Sequence, residues 1–363
     1  MKLQVTQENL NRALSNVARV ASGRNTLPIL SNILIKTANN RLTIAATNLD
    51  IAITNYIGSK VSEEGAITVP ARLMQEFVSS LPPGVIDIKL DDYKLAIKTD
   101  QYQSVINGVS AEEYPVMPAI TKGQKFNLPA SLLKKALTQV IFAAATDESR
   151  PVLTGVYIYT GDGQLSMVAT DSYRLSKKVL NKSNQAVKLL VPASALQDLL
   201  RIVSDDDAEV SVTHDDQQVL FKVGEVELVA RLIEGNYPDV SKLIPKEFAV
   251  TATVKRSELL NITKVSSLFA RESAGSITLE VDEETKALSI RSIASQLGEN
   301  TASTSGKISG SGSITLNSRY LLDGLHALTG DEVTFSFNGK LEPSLLKDPA
   351  DPSYTHIIMP LKS

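Results

Sequence analysis

The chain has 363 residues, no cysteine and a formal net charge of −3. Without cysteine there is no disulfide framework and no thiolate chemistry, and no apolar run approaches the length of a membrane-spanning helix. A net negative chain with only 5% aromatic residues is poorly suited to gripping nucleic acid through a broadly basic surface or a base-stacking platform.

From the start, Met1-Lys2-Leu3-Gln4-Val5 reads as a strand with no signal peptide ahead of it, the pattern of a cytoplasmic protein. Leu10, Ala13, Leu14, Val17 and Val20 then recur at helical spacing over residues 8–21. Arg24 follows in the loop Gly23-Arg24-Asn25-Thr26-Leu27-Pro28, where it is either a solvated side chain or a phosphate contact. Leu42-Thr43-Ile44-Ala45-Ala46-Thr47-Asn48 reads as a strand. Val69-Pro70-Ala71 opens a second helix over 71–81, with proline suited to the first helical turn and Leu73, Met74, Phe77, Val78 and Leu81 as its apolar side. Val85-Ile86-Asp87-Ile88-Lys89-Leu90 alternates as a strand and ends at the turn signal Asp91-Asp92.

The same series then returns twice. Leu42, Leu165 and Leu288 are each 123 positions after the last, and Leu165-Ser166-Met167-Val168-Ala169-Thr170-Asp171 repeats the Ala-Thr pair that Leu288-Ser289-Ile290-Arg291-Ser292 drops. Leu133, Ala136, Leu137, Val140 and Ile141 repeat the first helix with a slip at the last position; Leu259, Ile262, Val265, Leu268 and Phe269 form a third apolar face. The second helix returns at Val191-Pro192-Ala193 and at Leu316-Asn317-Ser318, where asparagine suits an N-cap. Ala208–Val212 and Glu332–Phe337 are the strand counterparts. This period is too long for a solenoid and long enough for a core in each copy. The chain therefore reads as three tandem domains, at 1–122, 123–249 and 250–363. With two helices against about eight short strands per copy and no regular βαβ alternation, the class is α+β with antiparallel sheet.

No catalytic constellation stands out. His214, His326 and His356 lack metal-ligand spacing and read as surface or turn residues. Asp205-Asp206-Asp207 lacks the ligand spacing of a calcium loop, and Ser309-Gly310-Ser311-Gly312-Ser313 reads as a flexible loop rather than a phosphate-binding one. Neither metal nor cofactor is expected. Charge, however, is uneven. Over 8–21, 71–81, 131–144, 193–204, 256–268 and 318–329 there are nine basic and five acidic residues, so these helices carry +4 and the remainder −7. Arg72, Lys134 and Arg201 are among those basic residues. They form either ordinary solvated faces or one mildly positive surface for a polyanion.

Thr26-Leu27-Pro28-Ile29-Leu30, Val69-Pro70-Ala71-Arg72, Val168-Ala169-Thr170-Asp171-Ser172-Tyr173-Arg174-Leu175, Tyr237-Pro238-Asp239 and Met359-Pro360-Leu361 together resemble the bacterial DNA polymerase III β subunit family, the replicative sliding clamps, in order along the whole chain. The resemblance implies three domains of the DNA-clamp fold and a head-to-tail homodimer. The six-domain ring would encircle duplex DNA without sequence preference, helices inside and sheet outside. It implies a processivity factor with no catalysis of its own. A ring held topologically needs no tight phosphate grip and must slide, which suits a mildly positive inner face.

The resemblance also implies a peptide pocket that takes short motifs of the replicative polymerase, the clamp loader and repair proteins. Its positions here are Leu153, Thr170, Tyr173, Arg174 and Leu175; Pro238, Lys242 and Leu243; Asn317, Tyr320 and Leu341; and the tail Ile357, Ile358, Met359, Pro360 and Leu361. Ser172-Tyr173 stands where Gly-His is familiar, and Lys242 and Lys362 stand where arginine is, so peptide preference is open to change, because lysine cannot fork two hydrogen bonds. Arg24 and Arg150 match DNA-contacting basic positions, and Ile106, Leu268 and Phe269 match apolar positions of the dimer contact; Ser104 falls where phenylalanine is familiar. An enzyme on a repeated scaffold would need convergent titratable groups, which do not appear. The remaining alternative is a peptide-binding scaffold that does not encircle DNA.

Overall fold

The computed structural model describes residues 1–21, 27–294 and 298–361. Its helices are α1 (Gln7–Ala21), α2 (Ala71–Ser80), α3 (Ala130–Val140), α4 (Ala193–Ile202), α5 (Arg256–Phe269) and α6 (Ser318–Ala327), two to each copy of the repeat. α1 buries Leu10, Ala13, Leu14, Val17 and Val20 as their spacing predicts. α3 buries Leu133, Ala136, Leu137 and Val140, then tightens into a 3-10 turn at Ile141–Ala143. That change of pitch explains the slip in the repeat. Pro70 closes the strand Gly65–Pro70 and precedes α2 rather than sitting inside its first turn. Asn317 caps α6 by accepting the Arg319 N–H at 2.9 Å.

α5 departs from its expected face. It buries Leu259, Thr263 and Ser266, while Val265 and Leu268 stand 45% and 48% exposed. The Thr263 hydroxyl donates to the Leu259 carbonyl at 2.7 Å, so a helix can bury it without an unmet polar group. The apolar stripe read as core is thus partly turned to solvent.

The chain forms two compact units, residues 1–133 with 194–232 and residues 134–193 with 233–363. The first holds a five-stranded sheet, in the order Lys60–Glu63, Lys2–Thr6, Val85–Asp91, Lys94–Lys98, Gln103–Asn107, and an eight-stranded sheet. The second holds a twelve-stranded sheet, from Lys188–Pro192 at one end to Gly312–Asn317 at the other. The pairings within the sheets described below are all antiparallel.

The sheets run through the boundaries expected near 122 and 249. Ile51–Gly58 of the first copy pairs with Val226–Arg231 of the second. Arg174–Lys182 of the second copy pairs in the same way with Asp351–Ile358 of the third. The middle copy is therefore shared between the two units, each joint being a ladder of main-chain hydrogen bonds.

Two further expectations are corrected. The glycine-rich run is no flexible loop: Gly298–Ser309 and Gly312–Asn317 are strands, and only Gly310 and Ser311 lie between them. Gly310 has φ +78°, and a Cβ there would lie 2.2 Å from the Ala249 carbonyl oxygen, so glycine is required. Of the histidines, His326 is exposed on α6, but His214 and His356 are buried in strands. Among the described residues, no helix is long and apolar enough to cross a membrane, and no group of three His, Asp or Glu could hold a metal ion.

Candidate functional site

The repeated Ala-Thr-Asx sequence builds a corner between two strands, and it does so twice. In the first copy Asn48 Oδ1 accepts the N–H groups of Asp50 and Ile51, and the Thr47 hydroxyl donates to the Ile51 carbonyl at 3.0 Å. In the second copy Asp171 Oδ1 accepts the N–H groups of Tyr173 and Arg174, and the Thr170 hydroxyl donates to the Arg174 carbonyl at 2.6 Å. The residue after the Asx takes positive φ in both, Leu49 at 78° and Ser172 at 80°. Side chains other than glycine are strained there, which gives a physical reason for the glycine that the resemblance implies at position 172. Ser172→Gly should raise stability by about 1 kcal/mol through relief of that strain, read as a shift in the urea midpoint. An unchanged or lower midpoint would mean that the bond from Arg150 Nη1 to the Ser172 hydroxyl, 3.1 Å, outweighs the strain.

Only the second corner carries a charged anchor. Arg174 is nearly buried; its Nε meets Asp171 at 3.0 Å and its Nη1 meets Asp323 of α6 at 2.5 Å. Its guanidinium also lies 5.3 Å from the Phe142 ring centre and 4.7 Å from that of Tyr320. Two carboxylates and two ring faces compensate its desolvation. A cleft of about 410 Å³ opens beside it, and Leu153, Tyr173, Asn317, Tyr320 and also Arg150 line it. Its rim is mixed: Asp147, held below the usual carboxylate range by Ser149 hydrogen bonds, faces Arg150 and Arg319.

The remaining expected pocket positions fall into three groups. Leu175 and Ile357 are paired across neighbouring strands and join Val168, Val240 and Leu345 in an apolar cluster; Ile358 is fully buried in the larger core beside it. Thr170 is buried at the corner. Pro238, Lys242, Leu243 and Leu341 lie at the surface, with Leu341 69% exposed. The tail is fastened rather than frayed. The Met359 N–H donates to the Tyr173 carbonyl at 2.8 Å, and the Leu361 N–H donates to the Thr315 carbonyl at 2.9 Å. Met359, Pro360 and Leu361 are half-buried; Lys362 lies outside the described residues.

Three family models match in sequence order: the DNA polymerase III beta subunit N-terminal domain over 1–118, the central domain over 127–239 and the C-terminal domain over 241–362. The beta sliding clamp of Bacillus subtilis strain 168 is 30% identical, with both chains covered completely. The chain belongs to the DNA polymerase III beta subunit family. A crystal structure of the sliding clamp from Bacillus subtilis superposes with a TM-score of 0.94 at 29% identity, over 100% of this chain and 99% of that one. A sliding clamp from Pseudomonas aeruginosa bound to griselimycin gives 0.93 at 25% identity, with both chains covered completely. This beta-subunit family member thus has three DNA-clamp domains.

One residue beside the site was misread in the sequence as a surface or turn residue. His356 is fully buried behind Arg174; its Nδ1 shares a 2.7 Å hydrogen bond with the Ser176 hydroxyl, and its ring lies 5.5 Å from that of Phe142. α6 passes so close that a Cβ on Gly324 would fall 2.5 Å from the imidazole. Burial, with the Arg174 charge adding to it, pushes the imidazole down to about 3. Its stabilising contribution is complete above the unfolded value near 6.5 and is lost as pH falls toward the folded one. Unfolding free energy should therefore drop by about 2 kcal/mol between pH 6.5 and 5, and His356→Gln should flatten that slope in urea titrations. Equal slopes would show that His356 is not the group responsible.

The expected DNA-facing residues of this family member lie on several elements of both units. Arg24 lies outside the described residues, as does Thr26 of its motif. Arg72 is exposed on α2 and pairs with Glu76 at 2.8 Å; Arg201 on α4 pairs with Asp198 at 2.8 Å. Lys134 is half-buried on α3, and Arg150 is exposed in the lining of the cleft next to Arg174. Of the expected dimer positions, Leu268 is exposed, Phe269 is half-buried, and Ile106 is buried in the end strand Gln103–Asn107 with Val105 facing out instead.

Proposed function

We propose that two copies of this chain close head to tail into a ring around duplex DNA and tether the replicative polymerase there as a processivity factor. In the first copy Ile51–Gly58 is flanked by Val226–Arg231, and in the second Arg174–Lys182 is flanked by Asp351–Ile358. The third counterpart, Gly298–Ser309, pairs with Ala287–Ala294 through Ser305, and its opposite edge along that stretch has no strand among the described residues. Gln103–Asn107 ends the five-stranded sheet with an open edge of its own. The repeat supplies an edge without a neighbour and a neighbour without an edge, and a second copy satisfies both. This observation carries the reading, with domain boundaries kept at 122/123 and 249/250.

The helix charges favour loose contact with duplex DNA. Carboxylates on the same helix partly neutralise Arg72 and Arg201, which suits a ring that must slide. The pocket around Arg174, Leu175 and the tail takes short peptide motifs of the polymerase, the loader and repair proteins, and the working compartment is the cytoplasm. A scaffold that never encircles DNA would leave the third edge unexplained. Loaded protein should stay on nicked circular DNA and run off once the circle is cut. Arg24→Glu with Arg150→Glu should weaken loading and flatten the salt dependence by about 0.9 in log–log slope for each phosphate no longer neutralised. Equal retention on circular and linear DNA would overturn the ring.

A further inference from the structure

The five-stranded sheet of the first unit has one face in the core and one in water. Leu3, Val5, Ile86, Ile88, Leu95 and Ile97 point into the core. The alternate residues form an exposed face on which Lys2, Lys60, Lys89 and Lys98 surround a cavity of about 410 Å³ together with Gln4 and Asp87. Among the described residues, the ammonium groups of these four lysines make no ion pair or side-chain hydrogen bond. Lys2 stands directly opposite Lys89 in one ladder, a like-charge pairing that destabilises a sheet, and opposite Glu63, with which it makes no ion pair, in the other. Lys98 stands opposite Asp87, yet Asp87 Oδ1 takes its hydrogen bond from Gln4 Nε2 at 2.8 Å.

Lysine on an edge strand guards against stray strand pairing, which accounts for Lys60. It does not account for Lys2 and Lys89, which sit on inner strands. A chain of net charge −3 has thus gathered four unpaired ammonium groups on one sheet face. We propose that this face docks an acidic segment of a partner protein, an extended stretch rich in aspartate and glutamate. Its carboxylates would relieve the lysine repulsion, and the Gln4 amide can bond a peptide backbone. The cavity is lined by no aromatic ring, so it offers single-stranded nucleic acid no stacking platform. The preference for protein over duplex DNA rests on the function proposed above, which gives the duplex to the helices.

Labelled dodecaglutamate serves as the probe, with anisotropy read on the full-length protein at about 50 mM salt, where surface charge is weakly screened. Lys89→Glu with Lys98→Glu should weaken binding about tenfold, since two attractions become repulsions. Lys182→Glu with Lys188→Glu makes the same change of net charge elsewhere and should leave binding within about twofold of the parent. Lys89→Gln removes one charge without reversal and should weaken binding to a lesser degree. Binding of a clamp-motif peptide by all variants reports folding and tests the other pocket separately. Equal losses in both double variants, or no binding by the parent, would overturn the proposal. So would dodecathymidylate binding more tightly than dodecaglutamate and losing that binding in the first double variant, which would mark a nucleic-acid surface.

Discussion

Removal of residues 359–363 should abolish binding of a clamp-motif peptide and leave the dimer intact. Chain ends are usually loose and dispensable, but this one is tied by main-chain hydrogen bonds from Met359 to Tyr173 and from Leu361 to Thr315. Truncation would free the Tyr173 carbonyl beside the Arg174 cleft and take away three half-buried side chains at once. Ile357 and Ile358 would remain, so the strand Asp351–Ile358 and its ladder to Arg174–Lys182 should persist. Loss of two or three half-buried apolar side chains at a centre of contact amounts to about 4 kcal/mol, or roughly a thousandfold in affinity. Peptide binding by anisotropy and mass by sedimentation decide it: normal binding by an intact truncated dimer would remove the tail from the pocket.

Leu268→Asp should convert the dimer to monomers. Leu268 is half exposed near the end of α5, with Val265 also exposed one turn earlier, so the substitution reaches solvent rather than the core. Phe269 is half-buried, and its replacement would confound assembly with folding. A head-to-tail ring of two chains has two equivalent contacts, so one substitution strikes twice. At about 2 kcal/mol for each central apolar anchor, the loss is about 4 kcal/mol per ring. Sedimentation across a dilution series measures it, and a variant still dimeric at the parent's concentrations would displace the interface from this helix.

The threefold repeat was legible because each copy must solve the same folding problem, and the helix faces at Leu10–Val20 and Leu133–Val140 follow from spacing alone. α5 was misread for a definite reason. Of its apolar residues at helical spacing, Val265 and Leu268 face out, while Thr263 and Ser266 go inward beside Leu259; a hydroxyl satisfied by its own helix, as at Thr263, carries no signal of burial. His356 was read as a surface or turn residue although its strand alternates: Tyr354, His356 and Ile358 share one buried face. A histidine between two large apolar residues at period two was the available clue. Arg174 could be singled out only through the family resemblance, because its partners Asp323, Phe142 and Tyr320 are distant in sequence. The glycine-rich run misled because composition reports flexibility while backbone crowding at Gly310 demands the same residue.

The duplicated Thr-Asx corner also bears on traffic. Both corners have the same hydrogen bonds, yet the first presents Ile51 where the second presents Arg174, and the chain's tail reaches only the second. Of these two corners, the second alone combines a charged anchor with the tied tail. If the Arg174 cleft takes peptide motifs as proposed, a ring of two chains would offer two such clefts, and partners that carry the motif would compete for them. Occupancy of each cleft would then follow relative abundance and residence time.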